Sequence, residues 1–173
     1  MSFSYEELAE IRYYIHQHPE LSGQEYQTTA FLKERLEELG IRILESGLKT
    51  GLIAEIGSGQ PVVALRADID ALPILEQTNL PYKSQNPGVM HACGHDFHQT
   101  SLLGAAALLK EKEDQLEGTV RLIFQPAEEI SEGASDVLAT GLLEDVQGII
   151  GFHNIPAKSR ATCLECWSYD GRG

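Results

Sequence analysis

Residues 90–98 read MHACGHDFH and concentrate side-chain types that bind metal ions. A thiolate, an imidazole and a carboxylate together suit Zn²⁺, and less decisively Mn²⁺, Co²⁺ or Ni²⁺. Gly94 lies between Cys93 and His95, and its freedom lets the backbone bend so that both side chains point to one side. Taken alone, the stretch is equally consistent with a polar loop. The interpretation therefore depends on which other residues reach it.

Further ligand types follow the predicted strands. Asp68 comes after VVALRA, Glu128 and Glu129 come after TVRLIFQ, and His153 closes GIIGF. Ligand sites in open α/β sheets lie beyond the carboxyl ends of strands, so one edge could gather all of these side chains. In the adjacent glutamates, one carboxylate can bind metal while the other takes a proton from water.

Each of these signals also has an ordinary explanation. A Glu-Glu pair is usually a solvated surface, and a histidine after a strand is more often structural than a ligand. Asp68 and Asp70 could simply cap a turn. Only the joint placement of these residues favours a metal site.

The elements that must position them alternate along the chain. Ser4 and Glu7 form a capping box that predicts a first helix ending near His18-Pro19. The remaining pattern predicts helices over 24–39, 99–112 and 133–141, and strands at IRILE, TGLIAEIG, VVALRAD, TVRLIFQ and GIIGFHN. The continuous apolar runs VVAL and GIIGF predict strands buried on both faces. The fold class is therefore α/β, with a mostly parallel central sheet flanked by helices.

Composition and charge narrow the function classes. The 173 residues are 42% hydrophobic and 23% charged, which is typical of a globular domain. A net charge of −13 without a basic stripe excludes a nucleic-acid partner. No apolar run approaches the roughly 18 residues of a membrane span. The N-terminus lacks a secretory signal, and three cysteines without one favour the cytoplasm.

At these residues the chain resembles the M20 metallopeptidase superfamily, specifically the amidohydrolase branch with hippurate hydrolases and N-acyl-amino-acid amidohydrolases. The matching segments are HQHPELSGQE (16–25), LRADIDALPI (65–74), MHACGHDFH (90–98), GTVRLIFQPAEE (118–129) and GFHNIP (151–156). They follow the family's order and spacing.

The resemblance implies a hydrolase with two divalent metal ions, Zn²⁺ or Mn²⁺ with Co²⁺ or Ni²⁺ as alternatives, that cleaves the amide of a small N-acyl amino acid. The positions matching its metal ligands are Cys93, His95, Glu129 and His153. Glu128 matches the general base that activates water, and Asp68 matches an aspartate that orients a histidine ligand. Arg66 stands where other branches place a metal-binding histidine, so Asp68 has at most an orienting role. Four further residues are expected to be supporting or structural: Asp70, His91, Asp96 and His98.

Family members continue with a lid domain that forms homodimers and with a further histidine ligand, and no segment here matches them. We therefore expect residues 1–156 to be the N-terminal part of a catalytic domain without its lid. Residues 157–173 form an atypical tail, interpreted as truncated or frameshifted. Its Cys163-x-x-Cys166 spacing could suggest redox or zinc chemistry, but no second pair completes a site.

The first hypothesis is thus a metal-dependent amidohydrolase whose isolated 173-residue chain has little or no activity. A peptidase or dipeptidase of the same superfamily is a close alternative. From another class come a non-catalytic remnant that binds metal or a partner, and a purely structural α/β domain.

Overall fold

The structure is a computed structural model that describes residues 3–154 and the backbone of a strand at Thr162–Trp167. Within these residues the helices are α1 (Tyr5–Gln17), α2 (Tyr26–Glu38), α3 (His95–Glu111) and α4 (Gly133–Ala139), with a 3₁₀ turn at Glu113–Gln115. The strands are β1 (Arg42–Leu44), β2 (Leu52–Ser58), β3 (Val62–Asp68), β4 (Gly118–Gln125), β5 (Val146–Asn154) and β6 (Thr162–Trp167). The predictions for the side chains of Cys163 and Cys166 lie outside the described residues.

The strands form one sheet in the order β1-β2-β4-β3-β5-β6. β3 pairs in parallel with both β4 and β5. The pairings β1 with β2, β2 with β4 and β5 with β6 are antiparallel. The α/β class is confirmed, but the sheet is mixed rather than mostly parallel. Its parallel part is the central trio, and these are the strands that carry the predicted ligands at their carboxyl ends.

Each face of the sheet packs its own hydrophobic core. Alternation along β4 sends Leu122 and Phe124 to one face and Ile123 to the other. The larger core receives Leu32 and Leu36 from α2 and also side chains from α3. The smaller core is covered by α4 through Val137, together with Leu143 and Val146. The helices therefore hold the sheet from both sides, as the α/β prediction requires.

Two predicted buried strands are only partly buried. Val63 in β3 is 39% exposed, and Ile150 in β5 is 43% exposed. Both lie on central strands, and their immediate neighbours Ala64 and Ile149 pack into or against the smaller core. The apolar runs predicted strands that are covered on both faces, but among the described residues the helices cover these strands only in part.

The sequence predicted where α1 and α3 begin, and only the first of these predictions is confirmed. The capping box is confirmed, because the Glu7 N–H donates to Ser4 Oγ at 3.1 Å and the Ser4 N–H donates to the Glu7 carboxylate at 2.7 Å. α3 begins at His95 rather than Gln99, so the predicted start is wrong. Gly94 precedes it with a left-handed φ of 84°, and its carbonyl accepts from the N–H groups of Phe97 and His98. His95 consequently lies on the first turn of a helix and not in a loop.

Candidate metal centre

The parallel strands bring the predicted ligands to one edge of the sheet. Asp68 at the end of β3 is in register with Gln125 at the end of β4. β5 lies on the other side of β3 and ends at Asn154, one residue after His153. The chain leaving β4 carries Glu128 and Glu129 over this edge, and the loop before α3 brings Cys93 to it.

Cys93, His95 and His153 converge at one side of this edge. Their ligand atoms all lie within 4.8 Å of one another. The Cys93 Sγ lies 3.7 Å from Nε2 of His153. His95 is fully buried, whereas Cys93 and His153 are partly exposed. The three side chains come from a loop, a helix and a strand, so their meeting is a property of the fold.

Backbone hydrogen bonds engage Nδ1 of both histidines, so Nε2 is the ring atom of each that can act as a ligand. Nδ1 of His95 lies 2.9 Å from the carbonyl oxygen of Asp70, and Nδ1 of His153 lies 2.9 Å from that of Asn154. A carbonyl oxygen can only accept, so each Nδ1 carries the proton. In the neutral ring, Nε2 then presents its lone pair to the centre, which is the usual arrangement of metal-binding histidines.

Glu128 and Glu129 form the other side of the cluster. Their carboxylate oxygens lie 3.8 and 3.9 Å from Nε2 of His95. Nε2 of His95 and Oε1 of Glu129 are buried without a hydrogen-bond partner among the described residues. Buried polar atoms normally have a partner, and the two atoms are suited to bind a divalent cation. Sulfur, imidazole nitrogen and carboxylate oxygen are a suitable donor set for zinc and related divalent metals.

Burial and neighbouring charges tune the proton affinities of the cluster. Desolvation and the nearby carboxylates of Glu129, Glu128 and Asp68 raise the pKa of the Cys93 thiol to about 12. Desolvation, followed by the charge of Asp68, also raises the pKa of Glu128 above its usual value. A carboxylate with a raised pKa is a better general base. A cation entering here would have to displace the thiol proton, so metal affinity should rise with pH.

Asp70 fixes the geometry on two sides of the cluster. One of its oxygens accepts from the Glu129 backbone N–H at 3.0 Å and from the Ser22 hydroxyl at 2.7 Å. Burial would raise its pKa, but contacts with His95, Ser22 and the Glu129 amide lower it to about 2. Its backbone carbonyl orients His95. The sequence indicated only a supporting role for Asp70 and missed Ser22, whose hydroxyl has no distinguishing local pattern.

Asp68 is fully buried beside the cluster but makes no hydrogen bond to a predicted ligand. It forms an ion pair with Arg66, and one oxygen lies 3.8 Å from Nδ1 of His98. Together with His95 and His98 it forms another group whose ligand atoms lie within 4.8 Å. Its charge helps to raise the pKa of His95, after the opposing effect of burial and the Asp70 contact. The orienting role expected for Asp68 remains a prediction.

A second buried polar network lies outside this cluster and joins α1 to α3. Nδ1 of His16 lies 3.0 Å and the Arg12 Nε 2.9 Å from the same oxygen of Asp96. Nε2 of His16 lies 3.2 Å from Glu76. Burial opposes ionisation of Asp96, but the His16 hydrogen bond leads the contacts that lower its pKa to about 2. Through these contacts Asp96 ties α1 to the turn that carries His95.

A cleft of about 500 Å³ opens beside the cluster. Glu128 and His153 line it at the metal-site end together with Arg66. Apolar side chains such as Val137 and Phe152 line the rest. Small-molecule sites commonly combine such apolar walls with a few polar groups. Separately, no helix among the described residues has the length and apolar character to cross a membrane.

An α/β sheet with a thiol, histidine and carboxylate cluster beside the carboxyl ends of its central parallel strands defines a protein able to bind divalent metal. Residues 64–164 match the model of peptidase family M20/M25/M40. The chain belongs to this family, because the match covers more than half of its length.

Relatives with assigned names agree with this membership. The chain is 56% identical over 152 residues to N-acetyl-L-cysteine deacetylase of Bacillus subtilis, covering 87% of this chain and 36% of that protein. It is 50% identical over 144 residues to IAA-amino acid hydrolase ILR1-like 5 of Arabidopsis thaliana, covering 83% and 33%. The chain thus spans about a third of the length of these curated relatives.

A solved structure shows the same fold. The Bacillus subtilis YXEP protein, described as a dinuclear metal-binding peptidase of the M20 family, superposes with a TM-score of 0.84 at 56% identity. The superposition covers 86% of this chain and 43% of that one.

Proposed function

We propose that this chain carries the metal-binding part of an amidohydrolase that cleaves the carbon–nitrogen bond of N-acyl amino acids. The observation that carries the proposal is the convergence of Cys93, His95, His153, Glu128 and Glu129 at one edge of the sheet. Residues 1–156 would then be the N-terminal part of the catalytic domain. The names of the relatives, a deacetylase of N-acetyl-L-cysteine and hydrolases of IAA-amino acids, support an N-acyl amino acid as substrate.

Cys93, His95, Glu129 and His153 would hold two divalent ions, zinc or manganese. Support comes from the dinuclear relative and from the donor set of the cluster. When bound, such ions lower the pKa of water and polarise the substrate carbonyl.

Glu128 is the proposed general base. It is the more exposed of the two glutamates, with 35% of its side chain accessible against 16% for Glu129, and it lines the cleft. It would take the proton from the attacking water and deliver it to the leaving amine. The adjacent apolar walls of the cleft would accept the acyl group or the amino-acid side chain and exclude water from the reacting amide.

The proposal also covers the isolated chain. By the family resemblance, a further histidine ligand and a lid domain belong to segments that this sequence does not match. We therefore expect metal binding with slow turnover from the 173-residue chain. Homodimerisation through a lid domain is proposed only for full-length relatives.

The test measures zinc or manganese uptake by the metal-stripped chain and amino-acid release from N-acetyl and N-benzoyl amino acids. Any hydrolysis should fall by about 10²–10⁴-fold in Glu128→Gln, because that change removes the proton acceptor. The same variant should retain the metal. Failure of the wild-type chain to bind metal would contradict the proposal, and faster cleavage of dipeptides than of acyl amino acids would favour the peptidase alternative.

A further inference from the structure

Glu25 is a buried carboxylate, and its position beside α2 does not explain why it is buried. It occupies the residue just before α2 and is fully buried. A polar side chain that caps a helix from there accepts from a backbone N–H of the first turn. The Glu25 side chain makes no such capping hydrogen bond. Burying a carboxylate is costly, so its partners must lie elsewhere.

Those partners join two distant loops. Oε1 of Glu25 accepts from the backbone N–H of Ala127 at 2.8 Å, across 102 residues of sequence. Oε2 accepts from the Thr50 hydroxyl at 2.7 Å. A hydrogen bond from a backbone amide to an ionised carboxylate is among the stronger ones in proteins.

The backbone of Ala127 has an unusual conformation. It is buried and adopts a left-handed φ of 50°, which an alanine rarely adopts. Two glycines also approach the backbone just before this turn closely. A Cβ on Gly51 would lie 2.6 Å from the Phe124 carbonyl oxygen, and one on Gly133 would overlap the Pro126 carbonyl. The next residues along the chain are Glu128 and Glu129.

We propose that Glu25 is a positioning residue for the catalytic glutamates. It holds the Ala127 amide and so fixes the strained turn from which Glu128 and Glu129 project into the metal cluster. Asp70 holds the following turn by accepting from the Glu129 N–H. Two buried carboxylates thus hydrogen-bond to the backbone on both sides of Glu128. For the roles of Glu128 and Glu129 the inference rests on the proposed function. The left-handed backbone at Ala127 is observed independently of that function.

The first experiment needs no metal and therefore tests the inference independently of the proposed function. Hydrogen exchange at the Ala127 amide is measured by NMR on the full metal-free chain. Glu25→Ala should accelerate exchange there by about tenfold, because the acceptor is lost. Glu20→Ala is the matched control, since the Glu20 carboxylate also accepts from a backbone N–H, that of Thr28 in α2, at 2.7 Å. That control should leave the Ala127 amide protected, and unchanged exchange in Glu25→Ala would overturn the inference.

The second experiment separates positioning from general destabilisation. Zinc affinity should fall by about tenfold or more in Glu25→Ala. Adding Ala127→Gly should restore most of that affinity, because glycine adopts the left-handed conformation without being held. Glu25→Gln keeps an acceptor for the Ala127 N–H and should stay within about threefold of wild type. If Glu25→Ala does not fold, Glu25→Asp withdraws the acceptor and keeps the charge.

The outcomes distinguish the two claims. A wild-type chain that binds no zinc contradicts the proposed function. The exchange experiment then still tests whether Glu25 protects the Ala127 amide. A wild-type chain that binds zinc, with equal affinity in the Glu25→Ala or Glu25→Asp variant, overturns the positioning role. Loss of affinity without rescue by Ala127→Gly also overturns it.

Discussion

At the residue scale, the candidate centre is defined by the atoms that other contacts leave free. The Nδ1 atoms of His95 and His153 are engaged by backbone carbonyls, and their Nε2 atoms face Cys93, Glu128 and Glu129. The same contacts decide how the histidines are protonated. Side chains that touch no metal therefore control the ligands, and Asp70 is the clearest case.

Asp70→Asn should weaken zinc affinity by about 10–100-fold, the usual cost of disturbing a partner of a ligand. The variant retains the shape but replaces one acceptor oxygen with an N–H₂ group. The Glu129 amide and the Ser22 hydroxyl donate to the same oxygen, so an N–H₂ group there mismatches both of them. In the other orientation the N–H₂ group faces the protonated Nδ1 of His95. Isothermal titration with zinc measures the effect, and Asp114→Asn on the exposed surface is the control. Equal affinity in Asp70→Asn and wild type would contradict this role.

His16 should make stability depend on pH in a defined direction. Its hydrogen bond to Asp96 leads the contacts that raise its pKa above 6.5, although burial opposes them. A group whose pKa is raised by folding stabilises the native state below its unfolded pKa, and that contribution is lost as pH rises through the folded value.

The free energy of unfolding of wild type should therefore exceed that of His16→Gln by more near pH 6 than near pH 9. Urea unfolding of both proteins at the two pH values measures this difference. His18→Gln is the control. Among the described residues, the His18 ring hydrogen-bonds only to the Tyr14 carbonyl, and His18 is more exposed than His16. A difference that grows with pH would refute the sign.

At the scale of elements, the left-handed residue before α3 decides where the ligands point. Gly94 has a φ of 84°, and a Cβ there would lie 2.6 Å from the Asn154 Oδ1. Gly23 has a φ of 72°, but a Cβ there meets nothing within 4 Å. The pair therefore separates the conformational cost of alanine from the steric cost.

Gly94→Ala should lower the free energy of unfolding by about 1–2 kcal/mol more than Gly23→Ala does. It should also weaken zinc binding, because the displaced turn carries Cys93 and His95. Denaturant unfolding and zinc titration of the two variants provide the comparison. Equal destabilisation of the two would show that the contact with Asn154 has no energetic consequence.

The elements also show which parts of the site were predictable from sequence. Carboxyl ends of neighbouring parallel strands share an edge, so the meeting of Glu128, Glu129 and His153 followed from strand patterns alone. The start of α3 did not, because a left-handed glycine cap has the same local sequence as a loop. The hydrogen bonds between Glu25 and Ala127 and between Asp70 and Glu129 could not be predicted either. They span 102 and 59 residues of sequence, so they leave no periodic pattern.

At the scale of the whole molecule, folding and metal binding should be coupled. The ligands come from β5, α3 and the loops before α3 and after β4, so the cluster exists only in the folded chain. It also gathers several carboxylates at low exposure, and a cation would neutralise their repulsion.

Zinc should accordingly stabilise the fold, by about 2.7 kcal/mol when free zinc is 100 times the dissociation constant. The thermal midpoint should rise with zinc and fall again when a chelator removes it. His153→Ala should reduce this response, because it deletes the ligand from β5. A midpoint independent of zinc in the wild-type chain would contradict the coupling.

The most direct test of the metal centre is the absorption spectrum of the chain titrated with Co²⁺, a substitute for zinc. Binding through Cys93 predicts a near-ultraviolet band from charge transfer between thiolate and metal that saturates with the bound cobalt. Cys93→Ser should lose the band, while serines at Cys163 and Cys166 should leave it unchanged. A wild-type spectrum without this band, or a band that persists in Cys93→Ser, would contradict the proposed centre.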